Sequence, residues 1–455
     1  MNLIIAIDVN GGIGYQNKLP WNIKEELQIF KEKTMGGNII VGYNTNLGSN
    51  LTEKLKGRQV HVIHNSKELQ EKILHFEKNK QLDSVWICGG KFVYEQTLIH
   101  HKDKINKIHL SIIKDKPDGY HVDTKINLEL LQNWYVISNA HYREYSKFNH
   151  YVLEKIESPH HCDRQYLNLL SHVLYYGNTR NTRNSITRSS FCHHLTFDMG
   201  LGFPLLTTKK MFWKGIVEEF IFFIKGETNS KLLENKGINI WKKNTSRKFL
   251  DSLGFYDREE GIMGPMYGYQ WRFYNAKYDE NTGKPLTPMS GIDQLVNIIQ
   301  EIKTNPTSRR ILLTDYNPEQ VREGVLPPCH SIVIQFYVNE NTLDMFCYNR
   351  SSDLFLGLPF NIASSSLLLH LIAKMTGLIP GLLHLSLGDC HIYSEHLEVV
   401  KEQLSIEKIP FELPKINIVL PECKDDSVLL NELQYYHFGL SSYSCHKPLK
   451  TIMIE

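Results

Sequence analysis

Long apolar runs are absent from this 455-residue chain: none reaches the about 20 consecutive apolar residues a membrane-spanning helix needs. The most apolar helical-looking segment, 361–375, is interrupted by serines, a histidine and a lysine. Charge of one sign is also missing. The 51 basic and 49 acidic residues leave a formal charge of +2, so no strong field points to nucleic acid or a membrane surface. Cysteines at zinc spacing are lacking as well. Cys162, Cys192, Cys329, Cys390 and Cys445 each adjoin a histidine, but there is no C-x2-C pair and no H-x3-H, and with 21 histidines such adjacency is expected by chance. No metal site is expected. The apolar run at 2–7 is short and no basic residue precedes it, so it does not read as a secretory signal. The eight scattered cysteines read as free thiols, and the expectation is a soluble, cytoplasmic protein.

Hydrophobic residues make up 42% of the chain and charged residues 22%, which excludes global disorder. At about 150 residues per domain the length suggests about three domains. Over 1–156, β-rich runs at 2–8, 38–41, 60–63, 84–88, 107–113, 134–140 and 150–154 alternate with helical periodicity, as at 23–34 where Ile23, Leu27 and Phe30 share a face. That alternation predicts an α/β sheet. Residues 157–163, polar and proline-containing, read as a short linker. Beyond it helices are expected at 165–176, 213–225, 292–302 and 361–375, closed by Gly177, Gly226, Asn305-Pro306 and Gly377. Strands are expected at 311–315, 331–338 and 342–348. No internal repeat or low-complexity tract interrupts the pattern.

The chemistry concentrates after residue 164. Cys329 follows Pro327-Pro328, which stiffen the chain, and precedes a strand. A lone cysteine is usually an inert buried thiol, but here the surroundings are polar and cationic, and arginines lower a thiol's pKa toward a nucleophilic thiolate. Arg309-Arg310, at the start of a strand, read either as a solvated pair or as a fork for bidentate phosphate recognition. With these come Gly202-Phe203-Pro204-Leu205-Leu206-Thr207-Thr208-Lys209, the stretch from Gly264 to Arg272, the long run from Arg350 to Ser364, and Gly388-Asp389-Cys390-His391-Ile392-Tyr393. In this order and spacing they resemble thymidylate synthase over 164–455, which implies a large α+β domain and an obligate homodimer.

The resemblance implies that Cys329 adds to C6 of dUMP, and that C5 then attacks the methylene of 5,10-methylenetetrahydrofolate to give dTMP and dihydrofolate. It implies that Arg350, Ser351, Arg309 and Arg310 hold the phosphate, the arginine pair serving the other subunit's site. Glu219 would organise proton transfer, and Tyr267 and His330 would sit at the pyrimidine and its water network. Asn361 would read the uracil amide edge, His391 and Tyr393 the ribose hydroxyl, and Asp353, Trp241 and Leu326 would face the folate, with Asp353 also beside dUMP. The family's glycine-rich phosphate loop is replaced by Arg183-Asn184-Ser185-Ile186-Thr187-Arg188. Arg183 is the best match for the remaining phosphate arginine, with Arg180 and Arg188 competing.

The first 156 residues carry Leu19-Pro20-Trp21, Glu26, Phe30, Thr34, Leu55-Lys56-Gly57-Arg58 and Ile87-Cys88-Gly89-Gly90-Lys91. Together these resemble dihydrofolate reductase, whose fold is a mixed central sheet flanked by helices. The resemblance implies that Glu26 pairs with the pterin and assists N5 protonation, with Ser111 in support, and that Ala6, Trp21 and Phe30 line the pocket. Arg58 would pair with the glutamyl carboxylate. For NADPH it implies Ala6, Gly14, Gly42, Thr45, His64, Gly89 and Gly90. Here Tyr43 replaces the basic residue that would meet the 2′-phosphate, so a weaker grip on that phosphate and less discrimination against NADH are expected. His64 and Asn65 would substitute in part, the histidine when protonated. Two readings follow: both domains turn over in sequence, or an active synthase carries an impaired reductase as a structural partner.

Overall fold

The computed structural model describes residues 1–455 other than 115–119, 133, 137–140, 156, 157, 289 and 455. The chain divides into two compact units: Met1–Pro159 with Ser405–Glu412, and His160–Leu404 with Leu413–Glu455. The start of the expected linker and the end of the first expected domain fall on 156 and 157, outside the described residues. The second expected domain, 164–455, contains a segment, Ser405–Glu412, that packs with the first unit.

In the first unit an eight-stranded mixed sheet runs Gln59–Ile63, Asn38–Gly42, Val85–Ile87, Asn2–Asp8, Lys107–Ile113, Phe148–Lys155, Trp134–Val136, with Tyr142–Glu144 also paired to Phe148–Lys155. The inner strands are parallel, and Phe148–Lys155 runs antiparallel to Lys107–Ile113. Ile108, Leu110 and Ile112 on one side and Met1, Leu3, Ile5 and Ile7 beside them are fully buried, because parallel strands covered on both faces exclude water from each. The helix Lys24–Thr34 turns Glu26 and Thr34 inward while its lysines face out. The helix Ser66–Lys78 is capped by Asn65, whose side chain accepts the Glu68 N–H at 3.0 Å. The strand expected at 134–140 is described over Trp134–Val136, and 137–140 lie outside the described residues. At that edge Val136 donates its N–H to Pro410 O at 2.8 Å and accepts from Glu412 N–H at 2.9 Å. Ile409 and Phe411 join the first unit's core there.

In the second unit a six-stranded sheet runs Asn178–Asn181, Ile186–Asp198, Ile379–Tyr393, Thr342–Asp353, Val333–Asn339, Leu312–Thr314. All its pairs are antiparallel except Thr342–Asp353 with Ile379–Tyr393. Its strands depart from the sequence expectation. Thr342–Asp353 runs five residues past the expected 348, and Ile186–Asp198 and Ile379–Tyr393 were not foreseen. They interleave histidine, serine and aspartate with apolar residues, a pattern that pays attention only to cross-strand neighbours. The helix Gly357–Thr376 is longer than the expected 361–375 and closes at Gly377, whose φ is +74°. By length and composition it is apolar enough to cross a membrane, against the reading from sequence, but 72% of its most apolar window is buried in the second unit's core. Gly177 ends its helix for a different reason from the one expected. Its φ is −65°, and a Cβ there would lie 2.4 Å from Val173 O.

Candidate active sites

A cavity of about 850 Å³ opens in the first unit. Ala6, Gly14, Glu26, Phe30, Gly42, Thr45, Arg58, His64, Gly89 and Gly90 all line it. Burial pushes the Glu26 carboxyl up to about 7, against the pull of a hydrogen bond from the Ser111 hydroxyl. Arg58 donates to Thr34 Oγ1 at 3.0 Å and lies 5.8 Å from the Phe30 ring centre. Two residues expected at this wall stand behind it. Ser111, 1% exposed, supports Glu26 from the sheet. Trp21 stacks on Tyr120, ring centres 6.3 Å apart, and packs with Ile23, Ile113 and Phe148.

The far end of the cavity suits a pyrophosphate. Gly89 has φ +125°, which side chains rarely allow. Gly42 N–H donates to Gly89 O at 2.7 Å, and a Cβ on Gly90 would come within 2.4 Å of Thr45 Oγ1. The wall there is bare backbone. The helix Lys91–His100 starts at once, with no side chain capping its N-terminus, so its first N–H groups are left for an anion. The residues present therefore fit NADPH. Tyr43 rests on His64 at the same wall, ring centres 4.6 Å apart.

In the second unit Cys329 is fixed from three sides. Its N–H donates to Tyr267 Oη at 3.2 Å, and that oxygen lies 3.4 Å from its Sγ. Its carbonyl accepts from Ser351 N–H at 3.3 Å. Arg350 donates from Nε to Pro328 O at 2.7 Å and from Nη2 to Pro327 O at 2.9 Å, so the guanidinium locks the turn that presents the thiol. Tyr267 is held at φ +48°, an unusual value for a bulky residue, and stacks between Phe223 and His330, ring centres 5.0 and 4.5 Å away. The expectation of a depressed thiol pKa is corrected here. Burial raises it above the ordinary value, outweighing the lowering by Tyr267 and Arg350, and Asp315 raises it further. Burial also drives His330 down to about 4, so its ring is neutral at pH 7.

Glu219, on the buried helix Trp213–Ile224, accepts from Trp241 Nε1 at 2.8 Å, and burial of its carboxyl pushes it up to about 7. Asp353 faces His391 across the parallel strand pair and Ser351 faces Asp389. His391 Nδ1 lies 2.8 Å from Asp389 Oδ1, and the His391 and Tyr393 ring centres are 5.0 Å apart. Asp353 accepts the N–H groups of Phe355 and Leu356 at 2.9 and 3.2 Å, so part of its capacity is spent on the turn into the long helix. Asn361 stands in that helix's second turn, partly exposed, and Leu326 packs on the core. The three competing arginines separate. Arg180 pairs with Asp389 at 2.6 Å, Arg188 donates to Leu174 O at 2.9 Å, and Arg183 is exposed and donates to its neighbour Asn184 Oδ1 at 2.9 Å. Arg309 and Arg310 are exposed, with no guanidinium hydrogen bond among the described residues.

Profiles of two families match the chain: thymidylate synthase over residues 164–455 and dihydrofolate reductase over residues 1–157. A bifunctional dihydrofolate reductase-thymidylate synthase of Paramecium tetraurelia is 36% identical over 479 residues, which are 99% of this chain and 98% of the relative. The chain belongs to the bifunctional dihydrofolate reductase–thymidylate synthase family. A second such protein of Arabidopsis thaliana is 33% identical over 512 residues, 98% of this chain and 87% of its own. The thymidylate synthase of Homo sapiens is 44% identical over 296 residues, 65% of this chain and 91% of its own.

The chain thus carries a methyltransferase, thymidylate synthase, and an NADPH-dependent oxidoreductase, dihydrofolate reductase. These families bind dUMP, folates and NADPH. The reading of the reductase half as an impaired structural partner is not favoured, since relatives match across both halves. Sequence reasoning passed over two groups. Asp315 is 1% exposed, both carboxyl oxygens lack a partner from another residue among those described, and burial holds it well above the carboxylate range. His150, in the strand Phe148–Lys155, reaches Ser111 behind Glu26. An acid beside the apolar run 311–314 was the only signal for the first. Nothing in the sequence marks the second.

Proposed function

We propose that the named residues divide the two reactions as follows. In the synthase unit Cys329 gives its thiol proton away and its sulfur bonds to C6 of dUMP, leaving an enolate at C5. Tyr267 steadies the thiol, and Arg350, which also locks the turn presenting it, meets the phosphate with Ser351, Arg183 and the partner copy's arginine pair. C5 bonds to the methylene of 5,10-methylenetetrahydrofolate. Glu219, near neutrality in its pKa and held by Trp241, organises removal of the C5 proton through water. Tetrahydrofolate leaves, returns a hydride to the exocyclic methylene, and Cys329 is released, giving dTMP and dihydrofolate. Asn361 reads the uracil amide and rejects cytosine, whose donors and acceptors mismatch. His391 and Tyr393 hold the ribose, and Trp241, Leu326 and Asp353 meet the folate.

In the reductase unit NADPH, when bound, supplies a hydride to dihydrofolate. Glu26 holds the pterin edge and passes a proton toward N5, Ser111 supports its carboxylate, and Arg58 takes the glutamyl carboxylate. Ala6, Phe30 and Trp21 shape the pterin pocket from near and behind. Gly14, Gly42, Thr45, His64, Gly89 and Gly90 hold the nucleotide. The observation that carries this assignment is a buried carboxyl, Glu26, set in the wall of the 850 Å³ cavity. The test follows NADPH oxidation with dihydrofolate and dTMP formation in parallel. Glu26→Ala removes the first alone and Cys329→Ser the second alone, the latter with dUMP binding retained. Loss of neither, or of both by one variant, overturns the assignment.

The homodimer is part of the proposal. Leu312, Tyr337 and Phe346 remain exposed around Gln335 on one face of the six-stranded sheet, an apolar face suited to a second copy. Mixing Cys329→Ser with an Arg309→Ala, Arg310→Ala double variant restores synthase activity if each site borrows the partner's arginines. The eight cysteines are all free, which supports a reducing compartment such as the cytoplasm.

A further inference from the structure

A hydroxyl has one proton to give, and the Ser111 hydroxyl has two polar neighbours. One is the Glu26 carboxyl, buried on the helix Lys24–Thr34, whose titration the Ser111 side chain lowers. The other is His150 Nδ1, 3.2 Å from Ser111 Oγ. The pairing is built into the sheet. Ser111 lies opposite Ala6 on its parallel neighbour and opposite His150 on its antiparallel one. All three project to the face covered by the helix that carries Glu26, where Ile29 packs near Ala6. Ser111 is 1% exposed and His150 6%, so water does not compete freely.

The tautomer of His150 decides where the serine proton goes. His150 Nε2 has no hydrogen-bond partner among the described residues. A proton there would be a buried donor without an acceptor, which costs more than an idle lone pair on an acceptor. The ring therefore carries its proton on Nδ1 and donates it to Ser111 Oγ. With its lone pair engaged on that side, Ser111 turns its own proton to Glu26. We propose that His150 is a positioning residue of the reductase, the first link of a chain His150 Nδ1–H to Ser111 O–H to Glu26 that stabilises the Glu26 carboxylate. This rests on the assignment of Glu26 as the proton-handling group.

Other charges face this chain. Lys33 comes from the Glu26 helix, Arg143 from the neighbouring edge strand, and His109 from Ser111's own strand, its ring centre 5.8 Å from that of His150. His141 acts on His109, and Tyr94 feels Glu26 from the helix after Gly90. The cations favour a neutral His150, and burial brings it down to about 4, so across the working range the ring acts as a fixed dipole rather than as a charge.

The test is the alkaline limb of the dihydrofolate reductase rate in the full-length protein, where activity falls as Glu26 loses its proton. His150→Leu removes the donor, weakens support for the carboxylate, and moves the limb to higher pH by about 0.5–1 unit, read as about a three- to tenfold higher relative rate on the alkaline side. His150→Asn, which keeps a donor near the Nδ1 position, returns the limb toward its original place. In a Ser111→Ala background His150→Leu shifts nothing further. A folded His150→Leu protein with an unmoved limb overturns the inference, as does His150→Asn behaving like leucine. Should the leucine variant fail to fold, the ¹⁵N resonances of His150 in the unmutated protein decide: a protonated Nδ1 with bare Nε2 supports the chain, and the reverse tautomer overturns it. Glu26→Gln separates the two layers. A Glu26→Gln protein that keeps the parent's rate and its limb overturns the Glu26 assignment and this inference together, while activity lost there with the limb unmoved in His150→Leu overturns this inference alone.

Discussion

Glu26→Gln should make the reductase unit more stable while destroying its activity, and the gain should grow with pH. The folded carboxyl titrates at about 7 against an ordinary value of 4.5. A difference of about 2.5 at 1.36 kcal/mol per pH unit is about 3.4 kcal/mol. Because the folded value is raised, that stability is fully present below pH 4.5 and is lost as pH rises through 7. At pH 8 the folded unit bears nearly the whole cost of a buried carboxylate, and at pH 5 it bears about 0.8 kcal/mol of it. Glutamine keeps the shape and never ionises. Hydrogen exchange of peptides covering Lys107–Ile113, a strand buried from Ile108 onward, reads opening of this unit alone. At pH 8 the variant should exchange about two orders of magnitude more slowly than the parent, and at pH 5 less than about tenfold more slowly. Dihydrofolate-dependent NADPH oxidation should be lost at both. An equal difference in protection at pH 5 and pH 8 would refute the reasoning, since only an ionising group ties the gain to pH.

Trp241→Phe removes the hydrogen bond to Glu219, worth about 1.5–3 kcal/mol to the carboxylate, so the acid limb of synthase kcat/KM should rise by about one pH unit or more. The rate near pH 7 should fall about tenfold while that at pH 9.5 stays within about threefold, by tritium release from C5-labelled dUMP. Tyr43→Arg places a fork of donors at the cavity wall and should raise the preference for NADPH over NADH about tenfold or more, measured as the ratio of the two kcat/KM values. A strong NADPH preference in the unmutated protein would sink the idea that Tyr43 weakens the grip. Phe411→Ala empties a core position of the first unit and should cost about 3–5 kcal/mol there, seen as faster exchange in peptides of 107–113 and 148–155.

What the sequence determined by itself was local chemistry in order. The motifs around Cys329, Arg350 and Glu26 named two families, because reactive residue types at fixed spacing survive in one dimension. Strands buried on both faces, such as Asn2–Asp8, were legible as nearly unbroken apolar runs. Three things were decided only by tertiary structure. The strands Ile186–Asp198 and Ile379–Tyr393 mix polar and apolar residues, and only their pairing with each other and with Thr342–Asp353 makes them strands. Ionisation depends on enclosure: the arginines near Cys329 promised a low thiol pKa, and burial reversed the sign. Contacts across great sequence distance could not be read at all. Phe411 enters a core made of residues more than two hundred positions earlier, and His150 meets Ser111 because antiparallel register sets them opposite. A sequence records which side chains are present. Which of them share a proton depends on which strands lie side by side.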